Sequence, residues 1–295
     1  MQPHSLTPKK GLIALYTATC ILGINGVLSK AIALDAITIT FMRCVIAFAA
    51  LAIILLAQKS KNLFKLNDNR NFIFVLIIGA LMSVHWSSFF HSMQISTVAI
   101  GILAHYSYPV ITVIVEPLLD KKLPRPQDMG AALLVVIGVA LIAPSWDIHG
   151  SAVAGVLFGL LSAITWAARN IITRRYLSKE AGQSIMTYQL LVIIIFTAGF
   201  ANTGAIANAS TQTWLMLLLL GIVSTAIGHT LVVISLRVLS AKSVSLISCL
   251  QPPIAIALSG LILHEFPALT TLLGGTLILC VAFYEAIKIK TQQQT

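Results

Sequence analysis

The chain has 295 residues, of which 58% are hydrophobic and only 9% are charged. An ordinary soluble domain carries about 25% charged and about 45–50% apolar residues, so this composition excludes a soluble globular protein and indicates a chain that lies in a lipid bilayer. The formal net charge of +10 does not indicate a nucleic-acid-binding protein, because the basic residues lie in short gaps between apolar runs rather than on one face.

Ten apolar segments follow one another along the chain, and each approaches the roughly 20 residues that a membrane-spanning helix needs. The first follows Lys9 and Lys10 and is longer than the roughly 7–15-residue core of a signal peptide, so it is predicted to be a retained span. In chain order, the predicted spans are 11–33, 36–58, 72–92, 95–117, 127–145, 151–173, 183–201, 213–235, 243–264 and 267–288.

Lysine and arginine are concentrated on one side of these spans. With the N-terminus in the cytoplasm, every basic residue except Lys30, Arg43 and Arg169 falls in a cytoplasmic segment, which accounts for 16 of the 19. Cytoplasmic loops of membrane proteins carry such an excess. The pattern therefore predicts a multi-pass protein of the cell membrane with both termini in the cytoplasm, and we expect a bacterial inner membrane.

The two halves of the sequence resemble each other at a constant offset of 144 residues. Five helices per unit is an odd number, so the second unit must enter the membrane from the opposite side, as in many transporters. The predicted fold is thus an all-α integral membrane protein with ten transmembrane helices in two inverted five-helix repeats, residues 1–145 and 146–295. The matches that indicate the repeat are His85 with His229, Pro109 with Pro253 and Gly130 with Gly274.

Several local motifs resemble those of the EamA-type branch of the drug/metabolite transporter superfamily, and the resemblance covers nearly the whole chain. It implies a ten-helix export carrier with a central cavity between the halves, and it leaves the substrate open, because that family moves amino acids, sugars, nucleotide-linked metabolites and drugs. The residues that carry the resemblance are Gly23-Ile24-Asn25-Gly26 with Lys30, Phe41-Met42-Arg43, Trp166-Ala167 with Arg174-Arg175, and Pro253, Glu265 and Gly274.

Arg43 is the first candidate for substrate binding. It lies about eight residues into the second span, and an ionisable side chain at such a depth usually faces the interior of the bundle. A guanidinium group offers a forked donor to a carboxylate or phosphate. The alternative is a structural arginine bonded to backbone carbonyls or to Asp35. For Lys30 the sequence favours a structural alternative, a side chain that reaches the membrane surface. For Arg169 it likewise favours an extension of the Arg174-Arg175 anchor over a role in binding.

His105 is the second candidate, because it falls near the middle of the fourth span and is followed by Pro109, which is expected to kink the helix. Broken helices at mid-depth often form transporter sites. The alternative is a packing kink with ordinary polar neighbours. His105 and His85 are the candidates for proton coupling. The predicted substrate-binding residues are Arg43, His105, Tyr106, Tyr108, Gln251, Trp86 and Trp166.

The sequence as a whole favours a secondary transporter that exports a small polar or amphipathic metabolite, such as an amino acid, by alternating access with proton coupling. A passive facilitator or channel remains an alternative, as does a membrane-embedded enzyme. The sequence contains no phosphate-binding loop of an ATPase and no paired metal-ligand spacing, so neither an enzyme activity, a cofactor nor a metal is expected. The expected partners are a small-molecule substrate and membrane lipid, without nucleic acid, for a monomer or homodimer.

Overall fold

The computed structural model describes residues 7–57, 66, 68–145, 147, 149–177, 180, 182–236, 239, 244 and 247–292. Within these ranges the regular secondary structure is entirely helical, and no strand is present. The helices are α1 (Pro8–Gly23), α2 (Asn25–Ala31), α3 (Ala36–Ala57), a short 3₁₀ turn (Asn69–Asn71), α4 (Phe72–Ile95), α5 (Val98–His105), α6 (Tyr108–Leu119), α7 (Pro126–Ile142), α8 (Ser151–Tyr176), α9 (Gly182–Ala198), α10 (Thr203–Ala207), α11 (Thr211–Leu218), a π-helical segment (Leu219–Gly228), α12 (His229–Leu236), α13 (Gln251–Leu263) and α14 (Leu269–Gln292).

Six helices of the described residues are long and apolar enough to cross a membrane, which confirms the predicted all-helical membrane class. Four shorter apolar helices overlap the remaining predicted spans. Residues 243, 245 and 246 of the predicted ninth span lie outside the described residues. The six long helices are Lys9–Ala31, Ala36–Ile53, Phe72–Ile95, Val98–Leu119, Ser151–Tyr176 and Thr211–Val232, and the shorter ones are Pro126–Ile142, Ser184–Ala198, Gln251–Leu263 and Leu269–Tyr284.

Three of the long spans are not continuous α-helices. The predicted kink before Pro109 is confirmed, since α5 ends at His105 and α6 begins at Tyr108 with the proline in its first turn, where its missing N–H leaves no helical bond unmade. Two other interruptions were not predicted. One separates α1 from α2 at Ile24, and the other is the π-helical segment, in which the Thr225 hydroxyl donates to the carbonyl five residues earlier.

Helix α8 is long enough to connect the two ends of the molecule. Near its start, Gly155 packs against Ser96, whose carbonyl oxygen accepts a hydrogen bond of 2.6 Å from Lys30 Nζ. Near its other end, Arg174 pairs with Glu116. The 19 residues between Gly155 and Arg174 rise about 28 Å, close to the thickness of the hydrocarbon core. We refer to these extremities as the Lys30 end and the Glu116 end.

The close approach of α8 to its neighbours depends on small residues. A Cβ atom added at Gly159 would lie 2.6 Å from the Cβ atom of Ala104 and 3.2 Å from the carbonyl oxygen of Gly101. These neighbours cannot rotate away, so α8 needs a glycine where it crosses α5. The Gly155-x-x-x-Gly159 pattern therefore forms a close-packing surface, which holds α8 against the interrupted fourth span.

Candidate functional site

Arg43 on α3 is held in the interior of the bundle, with 1% of its surface exposed. Its Nε atom donates a hydrogen bond of 3.0 Å to the Thr225 hydroxyl of the π-helical segment. Its guanidinium carbon lies 4.3 Å from the ring centroid of Trp86 and 5.0 Å from that of Phe90. The Nη2 atom is buried and has no hydrogen-bond partner in the described chain. One donor of the forked group is therefore left to bind something else.

The positive charge of Arg43 is not balanced by a neighbouring carboxylate. Asp35, the alternative partner considered from the sequence, instead caps α3 by accepting hydrogen bonds from the backbone N–H groups of Ile37 and Thr38 at 3.0 and 2.9 Å. Across the described residues, no acidic side chain lies within ion-pair distance of Arg43. A buried cation without a partner is costly, so this environment favours an anionic ligand.

His85 and His105 meet on a shared hydroxyl group from α8. Ser162 Oγ lies 2.9 Å from Nδ1 of His85 and 3.0 Å from Nδ1 of His105, and the two ring centroids are 5.0 Å apart. A hydroxyl can donate to one imidazole while it accepts from the other, which links the rings in one hydrogen-bonded chain. The rings of Trp166 and Tyr108 close around the pair, 4.8 Å from His85 and 5.2 Å from His105, respectively.

Tyr106 and Gln251 connect the two interrupted regions of the fold. The Tyr106 hydroxyl donates to the Ser248 carbonyl oxygen at 2.6 Å and lies 3.3 Å from Gln251 Oε1. Gln251 Nε2 in turn donates to the carbonyl oxygen of Leu22, at 3.3 Å, just before the break between α1 and α2. The break in the fourth span, the start of α13 and the break in the first span therefore lie side by side.

The residues predicted as a site thus lie in one continuous interior cluster, which we call the central cluster. Each makes a contact to another member or to a sequence neighbour of one, so the structure brings together what the sequence could only propose. Their role in binding remains a prediction. The members are Arg43, His85, Trp86, His105, Tyr106, Tyr108, Trp166 and Gln251.

Two cavities of about 570 Å³ each lie closer to the Lys30 end than the central cluster does. One is mainly apolar and runs past Asp35, Ser88 and Phe200. The other is lined by Lys30, Asp35 and Gln94. None of the central cluster lines either cavity.

Arg169 is a further interior residue, and its position differs from the one expected from the sequence. Rather than extending the Arg174 anchor, its Nη2 atom donates to Gln189 Oε1 at 3.1 Å, and its guanidinium carbon lies 5.5 Å from the Trp166 centroid. Helical geometry could have predicted this position, because a separation of five residues places Arg169 about 140° around α8 from Arg174. No feature of the sequence indicated that Gln189 would be the partner of Arg169.

Ion pairs connect the first and second halves of the chain at both ends. At the Lys30 end, Lys30 Nζ pairs with Glu265, whose other carboxylate oxygen accepts from the Val98 backbone N–H at 3.1 Å. The side chains of this pair are only 19% and 21% exposed. Thus Lys30 does not simply reach the membrane surface, which was the alternative left open by the sequence.

At the Glu116 end, Arg174 lies 3.2 Å from Glu116, and Arg175 lies 2.5 Å from Asp120. The Arg174 side chain is 73% exposed, so solvent weakens this contact. The two ends therefore differ in which half of the chain supplies the cation. The first half supplies it at the Lys30 end, and the second half supplies it at the Glu116 end.

The sequence model of the EamA-like transporter family matches this chain twice, at residues 9–143 and 153–284. The chain belongs to the EamA-like transporter family. The resemblance inferred from the sequence motifs is confirmed, and the general role of this EamA-like protein is that of a multi-pass membrane transporter. The contacts described above thus lie in the interior of a transporter.

Relatives of this EamA-like transporter extend over nearly all of its length. An uncharacterized transporter of Bacillus subtilis (strain 168), YxxF, is 26% identical over 288 residues, which cover 94% of this chain and 90% of the relative. An uncharacterized transporter of Archaeoglobus fulgidus is 20% identical over 273 residues, or 91% and 93% of the two chains. A crystal structure with 17% identity covers 96% of this chain and 99% of its own, with a TM-score of 0.63, and this likeness concerns the fold alone.

Proposed function

We propose that this EamA-like transporter is a secondary carrier that exports a small polar or amphipathic metabolite bearing a carboxylate, such as an amino acid. The proposal rests above all on Arg43. Its guanidinium is buried on Trp86 and Phe90 with Nη2 unpartnered, and no described carboxylate balances its charge. The aromatic rings around it suit the apolar part of an amphipathic solute.

We place the central cluster in a bundle of ten transmembrane helices built as two inverted repeats, residues 1–145 and 146–295, with the Lys30 end outside. Two observations support this arrangement. The two family matches begin 144 residues apart, at residues 9 and 153. In addition, Lys30 and Arg174, which correspond at the same offset, each pair with an acid from the other half of the chain, at opposite ends.

Alternating access follows from this arrangement in physical terms. The Lys30–Glu265 pair closes one end, and the Arg174–Glu116 and Arg175–Asp120 pairs close the other. Both sets are formed in this structure. Rocking of the two halves then breaks one set while the other stays formed, so that the central cluster faces one side at a time. Such a cycle distinguishes a carrier from a passive channel.

The orientation predicts the outcome of reporter fusions. Fusions after Lys65, Arg125 and Lys179 are expected to remain in the cytoplasm, and fusions near Trp146 and Ala207 are expected to be exported, because basic loops stay inside. Lys65, Trp146 and Lys179 lie outside the described residues, so Arg125 and Ala207 give the test that also has a structural position. Paired phosphatase and fluorescent-protein reporters measure it, and an exported reporter after Arg125 would rule out the ten-span topology.

Proton coupling through His105 and His85 predicts a specific change in pH dependence. Histidine ordinarily titrates near neutral pH, and His105 faces His85, Tyr108 and Trp166 around Ser162. His105→Gln keeps a hydrogen-bonding group but carries no proton across this range, so transport should become nearly independent of pH between about 5.5 and 7.5.

Initial rates in vesicles at a series of pH values measure this effect. The exposed His149 on the loop before α8 provides a matched control, and His149→Gln should keep the wild-type profile. An unchanged profile in His105→Gln would remove this residue from proton coupling and would favour a passive facilitator.

Export itself is tested by comparing the metabolites of cells that produce the protein with those of cells that lack it. Mass spectrometry of medium and cell extract should show at least one carboxylate-bearing metabolite that rises outside and falls inside. An accumulating metabolite without an anionic group would contradict the role given to Arg43. Identical media and extracts across growth conditions would contradict export.

A further inference from the structure

A second group of buried hydrogen-bond donors without partners lies around Arg169. Its Nε atom is buried without a hydrogen-bond partner in the described chain, and so is Nε2 of Gln189. Gln189 Oε1 accepts from Arg169 Nη2, so exchanging the two ends of the amide would set donor against donor and is excluded. Both orphan atoms are therefore genuine N–H donors. Nine-tenths or more of Gln189 is buried, with 2% of its surface exposed.

These donors lie in the same part of the interior as Arg43. Trp86, on which Arg43 stacks, packs with Leu190 in one apolar cluster, and Trp166, on which Arg169 stacks, packs against that cluster. The His85 ring lies 4.8 Å from that of Trp166, and the His229 ring lies 5.7 Å from that of Trp86. One interior region thus contains two guanidinium groups.

The two arginines sit at different depths within this region. Arg43 lies seven residues after Ala36 at the Lys30 end, a rise of about 10 Å, and Arg169 lies five residues before Arg174 at the Glu116 end, a rise of about 8 Å. Since the two ends are about 28 Å apart along α8, about 10 Å separates the arginines along the bundle. An extended small molecule can reach across that distance.

No described carboxylate forms an ion pair with either of the two arginines. The described acidic side chains lie in loops or at helix ends. A single carboxylate bound at Arg43 would leave Nε of Arg169 and Nε2 of Gln189 without a hydrogen-bond partner. A ligand with a second negative group would satisfy both ends.

We propose that Arg169 and Gln189 form a second anion subsite and that the substrate carries two separated anionic groups, one for Arg43 and one for this subsite. The inference rests on the proposed binding of a carboxylate at Arg43 and narrows the substrate class. The second group is a carboxylate or a phosphate, since both accept from a guanidinium fork and an amide N–H. In this arrangement, Trp86, Trp166 and the imidazoles contact the part of the substrate that lies between its two anionic groups.

The test uses a series of small acids that differ in charge, in the distance between the charged groups and in the type of anionic group. Succinate, its monoamide succinamate and its diamide succinamide share one skeleton with two, one and no negative charges. Glutarate and adipate extend the distance between the carboxylates, and 3-phosphoglycerate replaces one carboxylate with a phosphate. Each is titrated against the purified full-length protein in lipid nanodiscs, with the shift in melting temperature as the readout. At least one dianion should bind about tenfold or more tightly than its monoamide, which corresponds to about 1.4 kcal/mol.

Gln189→Glu is the decisive variant, because it should fold at least as well as the wild type. The new carboxylate accepts from Arg169 at the place where the ligand's second group would bind, so it supplies the missing partner from within the protein. The preference for the dianion over the monoamide should disappear, while binding of the monoamide should remain. Gln212→Glu adds the same charge to an exposed position of α11 and should leave the preference intact.

The outcomes separate this inference from the proposed function. If the monoamides bind as well as the dianions, and Arg43→Gln abolishes both, the second subsite is wrong while carboxylate binding at Arg43 stands. If a dianion binds equally well to the wild type, Arg43→Gln and Gln189→Glu, it binds elsewhere and the inference is overturned. If no ligand of the series shifts the melting temperature, the dianion class is wrong, and the efflux comparison still decides export.

Discussion

Replacing Arg43 with alanine is expected to lower the transport rate at least about 100-fold while the amount of protein in the membrane stays the same. A hydrogen bond to a charged group contributes up to about 3 kcal/mol, and about 2.7 kcal/mol corresponds to a factor of about 100. Arg43→Lys keeps the charge but loses the fork and the Nε bond to Thr225, so its rate should lie between those of alanine and wild type. Initial efflux rates and membrane abundance are measured in the same cells.

A purely structural role for Arg43 makes the opposite prediction. Alanine would then leave a gap between Trp86 and Phe90, and the protein level would fall together with transport. Arg43→Gln keeps most of the volume and a donor for Thr225 without the charge, and it should transport as poorly as alanine at normal abundance. Arg70→Ala, at an exposed arginine, is the matched control. Wild-type transport by Arg43→Ala would exclude this residue from the site.

The second large effect is expected at the Lys30 end, where Glu265→Gln should slow transport about tenfold. The amide cannot balance the charge of Lys30, which is only 19% exposed. Breaking a fully buried pair costs about 3–5 kcal/mol, and the partial exposure of this one reduces the cost to about 1–2 kcal/mol. That cost falls only on the conformation in which the Lys30 end is closed. Initial rates and protein abundance are again measured together.

The Arg175–Asp120 pair at the Glu116 end provides the control, because its side chains are 26% and 51% exposed. Asp120→Asn should change the rate by less than about threefold. Exchanging the charges, Lys30→Glu with Glu265→Lys, should restore only part of the rate, since a lysine cannot accept from the Val98 N–H. Equal rates in wild type and Glu265→Gln would mean that this pair does not control access.

Much of the helix placement was predictable because it depends on local properties. Apolar length fixes where spans lie, and Pro109 cannot donate a helical hydrogen bond, so the break between α5 and α6 follows from one residue. The break at Ile24 has no such cause in its side chain. The π-helical segment depends on tertiary contacts as well, where Ser224 donates to Asn25 and Thr225 contacts Arg43. A linear sequence contains no record of these contacts.

The sequence was sufficient to predict which residues form the candidate site, but not how those residues contact one another. Ionisable and aromatic residues at mid-depth are rare enough to be singled out, which identified Arg43, His105 and Trp166. The hydrogen bonds through Ser162 depend on how α8 is rotated against α4 and α5, and a serine in an apolar helix is too common to stand out. Arg169 differs from the expectation because proximity in sequence to Arg174 does not place it on the same face of α8.

The excess of positive charge in the interior also concerns the energy source of transport. Export of a dianion moves two negative charges outward, and a potential of 100 mV, negative inside, contributes about 2.3 kcal/mol for each, or about 4.6 kcal/mol in total. This work supports a concentration ratio of more than about a thousandfold. A carrier whose two interior arginines form no ion pair with a described carboxylate could then run on voltage alone, and vesicles held at opposite potentials should export at different rates. Protons would adjust the rate of such a carrier, and the charge of the cargo would set its direction.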